Sequence, residues 1–146
     1  MKSHFEKAFY RDGSLRDIYV RRTKQSDWSL FFDLLAQYDV EFTYDGEPVS
    51  LPRLRESLFK SKLGKLACIH LDEVVVNCHF FCVDEIELDI DPYQIETDMD
   101  ADHVLRFMMA LGSRLQKDVV LTDEGAPQSI WFKYDHSANR ILFLDS

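Results

Sequence analysis

Residues 66–91 read LACIHLDEVVVNCHFFCVDEIELDID. Leu66 to Leu71 and Val74 to Val83 read as strands, the second rich in β-branched and aromatic residues, and Asp72-Glu73 between them is a turn signal. A two-residue turn predicts that Leu71 pairs with Val74, Cys68 with Asn77 and Ala67 with Cys78. Glu85 to Asp91 then alternates acidic and apolar residues and stops at Pro92. Period two is the mark of a strand with one face in a core and the other outside it. Three strands in succession, joined by short turns, predict an antiparallel sheet.

The flanking sequence fills in the layers around that sheet. On the N-terminal side, Arg11-Asp12-Gly13-Ser14 is a turn signal and Leu15 to Arg22 reads as a strand. Leu15, Asp17 and Tyr19 lie on one of its faces, Arg16, Ile18 and Val20 on the other. Ser26 or Asp27 is expected to cap a first helix, whose stripe is Trp28, Phe31, Phe32, Leu35 and Tyr38. Val40 to Tyr44 is a short strand closed by Asp45-Gly46. A second helix starts near Ser50, with Pro52 in its first turn, the stripe Leu51, Leu54 and Leu58, and Lys60 and Lys62 in its last turn before Gly64.

On the C-terminal side, Asp98 or Asp100 is expected to cap a third helix with the apolar face Val104, Leu105, Met108, Leu111 and Leu115. Val119 to Thr122 is strand-like, residues 123–127 form a loop, and Ile130 to Tyr134 with Arg140 to Leu144 reads as a hairpin. The prediction is one compact α+β domain over residues 1–146, a mostly antiparallel mixed sheet with about three helices packed on one face. The length of 146 residues suits a single domain with a core of its own. Aromatic residues at 13%, with 5 Gly and 4 Pro, exclude a disordered or low-complexity chain.

Charge is distributed unevenly. Residues 66–105 hold 11 Asp and Glu and no Lys or Arg, whereas residues 1–65 carry 12 basic and 10 acidic residues and residues 106–146 carry 5 of each. The formal net charge of -9 therefore comes from one forty-residue stretch. Such a field disfavours nucleic acid and anionic membranes and favours a cationic partner or a metal ion. No run approaches the ~18 apolar residues of a membrane span, and Met1 to Phe9 mixes His4, Glu6 and Lys7 among its apolar residues, so no secretory signal is expected. Three cysteines, an odd number, fit reduced thiols in a cytoplasm.

The sharpest candidate site is the acidic strand. Glu85, Glu87, Asp89 and Asp91 point one way, with Ile86, Leu88 and Ile90 pointing into the core. Asp98, Asp100 and Asp102 are expected to flank them. Four like charges in a row repel one another and raise one another's pKa. Three readings follow. In the first, the stripe receives a basic protein partner, which a row of carboxylates attracts and accelerates. In the second, it serves a divalent-metal-dependent enzyme, since hard cations prefer oxygen ligands, although no Asp-x-Asp-x-Asp-Gly loop is present. In the third, a neighbouring strand answers it with cations, the cluster Arg16, Arg21, Arg22 and Lys24 being the candidate.

Cys68, His70, Cys78, His79 and Cys82 invite a zinc reading. The predicted register opposes it, because Cys68, His70, Asn77 and His79 fall on one face and Cys78 and Cys82 on the other, apolar one, where they are expected to be core. Cys68 with His79 on a diagonal is the one nucleophilic arrangement the register allows, and His79 is read rather as a hydrogen-bonded sheet histidine. No Walker A, G-x-G-x-x-G, H-E-x-x-H or G-x-S-x-G pattern occurs, and no cofactor is expected. In size, acidity and element order the chain resembles the small acidic α+β proteins of bacteria that include toxin-immunity proteins. That resemblance implies a non-enzymatic interaction domain binding a basic partner, and carries no site residues with it. An edge strand near residues 140–144 would let two copies pair, so a monomer or a homodimer is expected.

Overall fold

A computed structural model describes residues 1–59 and 64–145. Nine strands form one antiparallel open sheet: β1 (Arg16–Arg21), β2 (Asp39–Tyr44), β3 (Glu47–Pro48), β4 (Lys65–Leu71), β5 (Val74–Cys82), β6 (Glu85–Ile90), β7 (Val119–Asp123), β8 (Ala126–Asp135) and β9 (Arg140–Phe143). Their order is β3-β2-β4-β5-β6-β1-β7-β8-β9, with β3 and β9 at the edges. Four helices, α1 (Ser3–Ala8), α2 (Gln25–Leu35), α3 (Leu51–Ser57) and α4 (Asp98–Leu115), complete an α+β fold. No helix among the described residues is long and apolar enough to cross a membrane.

The predicted turn holds. Leu71 is in register with Val74, Cys68 with Asn77 and Ala67 with Cys78. Asp72 takes a left-handed backbone at φ 61°, which Asp tolerates better than most residues. All four helices bury apolar side chains in one core against the same sheet face, built from residues such as Ile18, Val20, Val76, Cys78, Ile86, Leu88 and Leu121. Trp28, Phe31, Phe32 and Leu35 of the first stripe are buried, as are Val104, Met108, Leu111 and Leu115 of α4. Full burial of each such side chain contributes about 1.5–3 kcal/mol.

Several local expectations are corrected. Among the described residues a further helix, α1, joins the three expected and packs Phe5 and Ala8 into the core. Asp27 is the third residue of α2, not its cap, and its carboxylate accepts the backbone N–H of Lys24 at 2.9 Å. Ser50 caps α3 as expected, accepting from the N–H of Arg53. Lys60 and Lys62 lie outside the described residues, and Gly64 instead precedes β4, its N–H bonded to Asp45 at 2.8 Å. The cap of α4 is Thr97, with Asp100 completing a reciprocal capping box. Cys82 is exposed rather than core, because a bulge between His79 and Cys82 breaks the alternation of β5.

Arg16 is the largest polar group in the interior, 2% exposed. Its Nε donates to the Ala8 carbonyl at 2.7 Å, its Nη2 to the Tyr10 carbonyl, and its Nη1 to the Ser14 hydroxyl and the Leu15 carbonyl at 2.9 and 3.0 Å. Asp12 and Asp123 each lie 3.8 Å away. A buried cation is tolerable only when its donors are satisfied and countercharge is near, and here the guanidinium ties α1 and the following turn to the sheet.

Gly112, inside α4, sets up a contest between propensity and packing. A Cβ there would overlap the Tyr134 ring and come within 2.8 Å of the Lys117 carbonyl oxygen. Ala favours a helix by about 1 kcal/mol over Gly, whereas overpacking costs about 1–3 kcal/mol. The carbonyl is backbone and has little room to give, so Gly112→Ala is expected to lower the melting temperature, by roughly 2–4 °C per kcal/mol. Thermal unfolding followed by circular dichroism checks the sign.

Candidate functional site

The acidic strand β6 lies between β5 and β1, and its polar side faces away from the helices. On the β1 side Glu85 is opposite Arg21, Glu87 opposite Tyr19 and Asp89 opposite Asp17. On the β5 side Glu87 is opposite His79 and Asp89 opposite Asn77. Around β6 the open face therefore carries four carboxylates, Glu85, Glu87, Asp89 and the buried Asp17 contributed by β1. Of the proposed basic neighbours only Arg21 meets the stripe, its Nε 3.8 Å from Glu85. Arg16 sits on the opposite face of the same strand.

Asp17 and Asp89 face each other across the ladder, an arrangement that is destabilising unless each charge is answered elsewhere. The Asp17 carboxylate accepts from the Tyr19 hydroxyl at 2.9 Å and from the Gly125 N–H at 2.8 Å. Gly125 has φ 67°, which suits a glycine in this turn. Asp89 bonds His79 Nε2 at 2.6 Å and accepts from the Asn77 amide at 3.2 Å. The Asp89 hydrogen bond, outweighing partial desolvation, holds the His79 pKa above its ordinary value, with the charges of Asp89 and Glu87 adding to it. Tyr19 is raised by burial and by its bond to Asp17, so it stays a neutral phenol.

Glu87 is less fully compensated. Burial, then the charges of Asp17 and Glu85, push its carboxyl above the ordinary value, and His79 and Tyr19 only partly oppose this. Beside it, Phe81 stacks on the His79 ring at 5.2 Å and 6° while remaining 69% exposed. The nearby turn is anchored from the helix side, because the Val83 carbonyl accepts from the Thr23 hydroxyl at 2.7 Å and from Trp28 Nε1 at 2.9 Å.

The other candidates are not brought to this face. Asp91 lies just past β6, and its carboxylate accepts the Tyr93 N–H at 3.0 Å to cap a 3₁₀ turn. Asp98, Asp100 and Asp102 belong to α4, in the helix layer on the far side of the sheet. Asp98 accepts the Lys2 N–H at 2.9 Å, and Asp100 accepts from Glu96 and Thr97 within the capping box. Cys68 donates to the Asn77 side-chain oxygen at 3.4 Å rather than to His79. Burial and the charges of Glu41 and Asp89 raise its thiol pKa, so no thiolate is prepared. Cys78 is buried and raised well above its ordinary value, and Cys82 is pushed up to about 11, chiefly by a hydrogen bond to Asp84. Among the described residues no group of three or more His, Cys, Asp and Glu side chains is placed to hold a metal ion.

Tyr19 and Phe81 were not singled out by sequence, and Asp17 was read as the carboxylate of an arginine pair across the sheet rather than as a neighbour of the stripe. The alternation of Asp17, Tyr19 and Arg21 along β1 was visible, but its pairing with β6 was not. Together these features define an open antiparallel α+β sheet with a helix-covered face and a polar, electronegative one. Comparison with models of protein families, with curated proteins and with solved structures finds no match.

The raised His79 value makes stability depend on pH. A group that binds its proton more tightly when folded contributes fully below its unfolded value, here 6.5, and that contribution is lost as pH rises through the higher folded value. Glu87 acts with the same sign from 4.5 upward. His79→Gln, which keeps a donor toward Asp89, is therefore expected to flatten the fall in melting temperature across about pH 6 to 8. Equal declines in variant and wild type would dissociate the histidine from that fall.

Proposed function

We propose that the open face around β6 is a docking surface for a basic region of another protein, and that the chain acts by binding rather than by catalysis. The observation that carries this reading is Glu87. It is a carboxylate raised in pKa by burial and by Asp17 and Glu85, on a strand whose three carboxylates have Arg21 and His79 as their cationic partners among the described residues. Incoming Arg or Lys side chains would relieve that repulsion. Phe81 supplies the second element of a binding face, an exposed aromatic anchor stacked on a fixed ring. Interfaces concentrate their energy in such anchors, with charges around them setting encounter rate and specificity. The reading agrees with the acidic immunity-like style of the sequence. It sets the protein in a reducing cytoplasm, where the free Cys68, Cys78 and Cys82 stay thiols.

The test separates docking from a purely structural salt-bridge ladder. Glu87→Gln removes a repelled charge, so stability is expected to hold or rise by about 0.2–1 kcal/mol; a structural ladder would lose stability instead. Affinity capture from the native cell's lysate at low and high salt then compares wild type with Glu85→Gln/Glu87→Gln/Phe81→Ser. A basic protein held by wild type at low salt, released by salt and not held by the variant is the expected result. A partner held equally by both proteins overturns the assignment of this face.

A further inference from the structure

Next to the acidic strand, the same open face sinks into a cavity of about 470 Å³ between β1, β7, β8 and the loop after α4. Val120, Pro127 and Ile130 supply its apolar lining, and the buried Tyr19 lies beneath Arg21 at its border. Tyr19, Val120 and Lys133 stand in one register row across three strands, so backbone pairing fixes the lining and one wall together. The charge here is the reverse of that on the stripe. Arg21, Arg22, Lys117 and Lys133 line the cavity, and Asp118 is the one acid among its lining residues.

These four cations are loosely answered, three by one ion pair each, with Arg21 also lying over the Tyr19 ring at 5.5 Å from its centroid. Arg21 lies 3.8 Å from Glu85, Lys117 3.9 Å from Asp27 and Lys133 3.5 Å from Asp118. Among the described residues none of the four side chains makes a hydrogen bond and Arg22 has no ion pair, whereas Arg16 in the core is bonded through Nε, Nη1 and Nη2. Arg22 also holds a left-handed backbone, φ 56°, a conformation that is strained for a long side chain and natural for glycine. Converging cations with free donors above an apolar floor are the chemistry of anion recognition, in which guanidinium and ammonium groups take phosphate oxygens and flat apolar surface takes the body of the ligand. The volume falls within the range of about 300–1,000 Å³ that encloses a whole small molecule.

We infer that this cavity is a binding site for a small phosphate monoester carrying a flat ring, with Arg22, Lys117 and Lys133 on the phosphate, Arg21 over Tyr19 at the border with the stripe, and the ring over Val120, Pro127 and Ile130. The site does not depend on the docking role of β6.

Phenyl phosphate, inorganic phosphate and phenol serve as probes in nuclear magnetic resonance titrations at low ionic strength. Phenyl phosphate is expected to shift the signals of Val120, Ile130 and Lys133 and to bind at least tenfold more tightly than either fragment. Arg22→Gly, which relieves the left-handed backbone, should leave the melting temperature unchanged or higher, and combined with Lys133→Gln should weaken phenyl phosphate at least tenfold. Glu85→Gln frees Arg21 and is expected to strengthen phenyl phosphate binding while weakening any basic partner, so the two sites respond in opposite directions. Phenyl phosphate binding no tighter than phosphate, shifts away from the cavity, or unchanged affinity in the Arg22→Gly/Lys133→Gln variant would each overturn the assignment.

Discussion

The register of the β4–β5 hairpin is the constraint on which the rest of the molecule depends. Side chains alternate along a strand, so a slip of one residue at Asp72-Glu73 would exchange the two faces of β5 relative to β4. With Leu71 against Val74, Ala67, Ile69, Val76 and Cys78 are sent to the helices and Cys68, Asn77 and His79 to the open face. The same parity passes to β6, where His79 meets Glu87 and Asn77 meets Asp89, and from β6 to β1, where Asp17, Tyr19 and Arg21 follow. The electronegative face is thus inherited strand by strand from one tight turn.

The two sides of β1 show how differently the protein treats charge. On the core side Arg16 is surrounded by carbonyls and two carboxylates, and its burial is compensated at nearly every donor. On the open side Asp17 and Asp89 are satisfied from opposite directions, while Glu87 is left repelled and Arg21 is paired only at a distance. A chain able to answer one arginine at nearly every donor has left other charges only loosely answered a few residues away. Those loosely answered groups are concentrated on the face that no helix covers.

Much of the sheet was legible from local sequence. The β4–β5 turn, the alternation of β6, the stripes of α2 and α4 and the cap at Ser50 all rest on residues close together in the chain, where turn chemistry and periodicity act directly. What was missed is either non-local or an interruption of period. The partnership of β1 with β6 has no local signature, so Asp17 and Tyr19 were not joined to the stripe, and Arg16, rightly placed on the face of Ile18 and Val20, was still counted among the stripe's basic neighbours. The bulge after His79 moved Cys82 from core to surface. Grouping Asp98, Asp100 and Asp102 with the stripe followed charge along the chain, but the sheet stands between α4 and the open face. The basic cavity was invisible for the same reason, since its residues come from three separate stretches of chain and only the pairing of β1 with β7 and β7 with β8 assembles them.

The central position of β1 also dictates an order of events as the chain folds. β4, β5 and β6 are consecutive and close through short turns, and β7, β8 and β9 likewise, so each trio can form with little loop entropy. β1 is made early in the chain, yet it pairs with β6, whose Ile90 lies opposite Arg16, and with β7, whose Asp123 lies opposite Arg16 on the other side. Its partners are therefore separated from it by about 70 and 100 residues, contacts of the slow, non-local kind. Until β7 has been synthesised, the strand Arg16–Arg21 has one edge with no native neighbour. It joins two ready-made meanders, and that late insertion is the step that turns two small sheets into one.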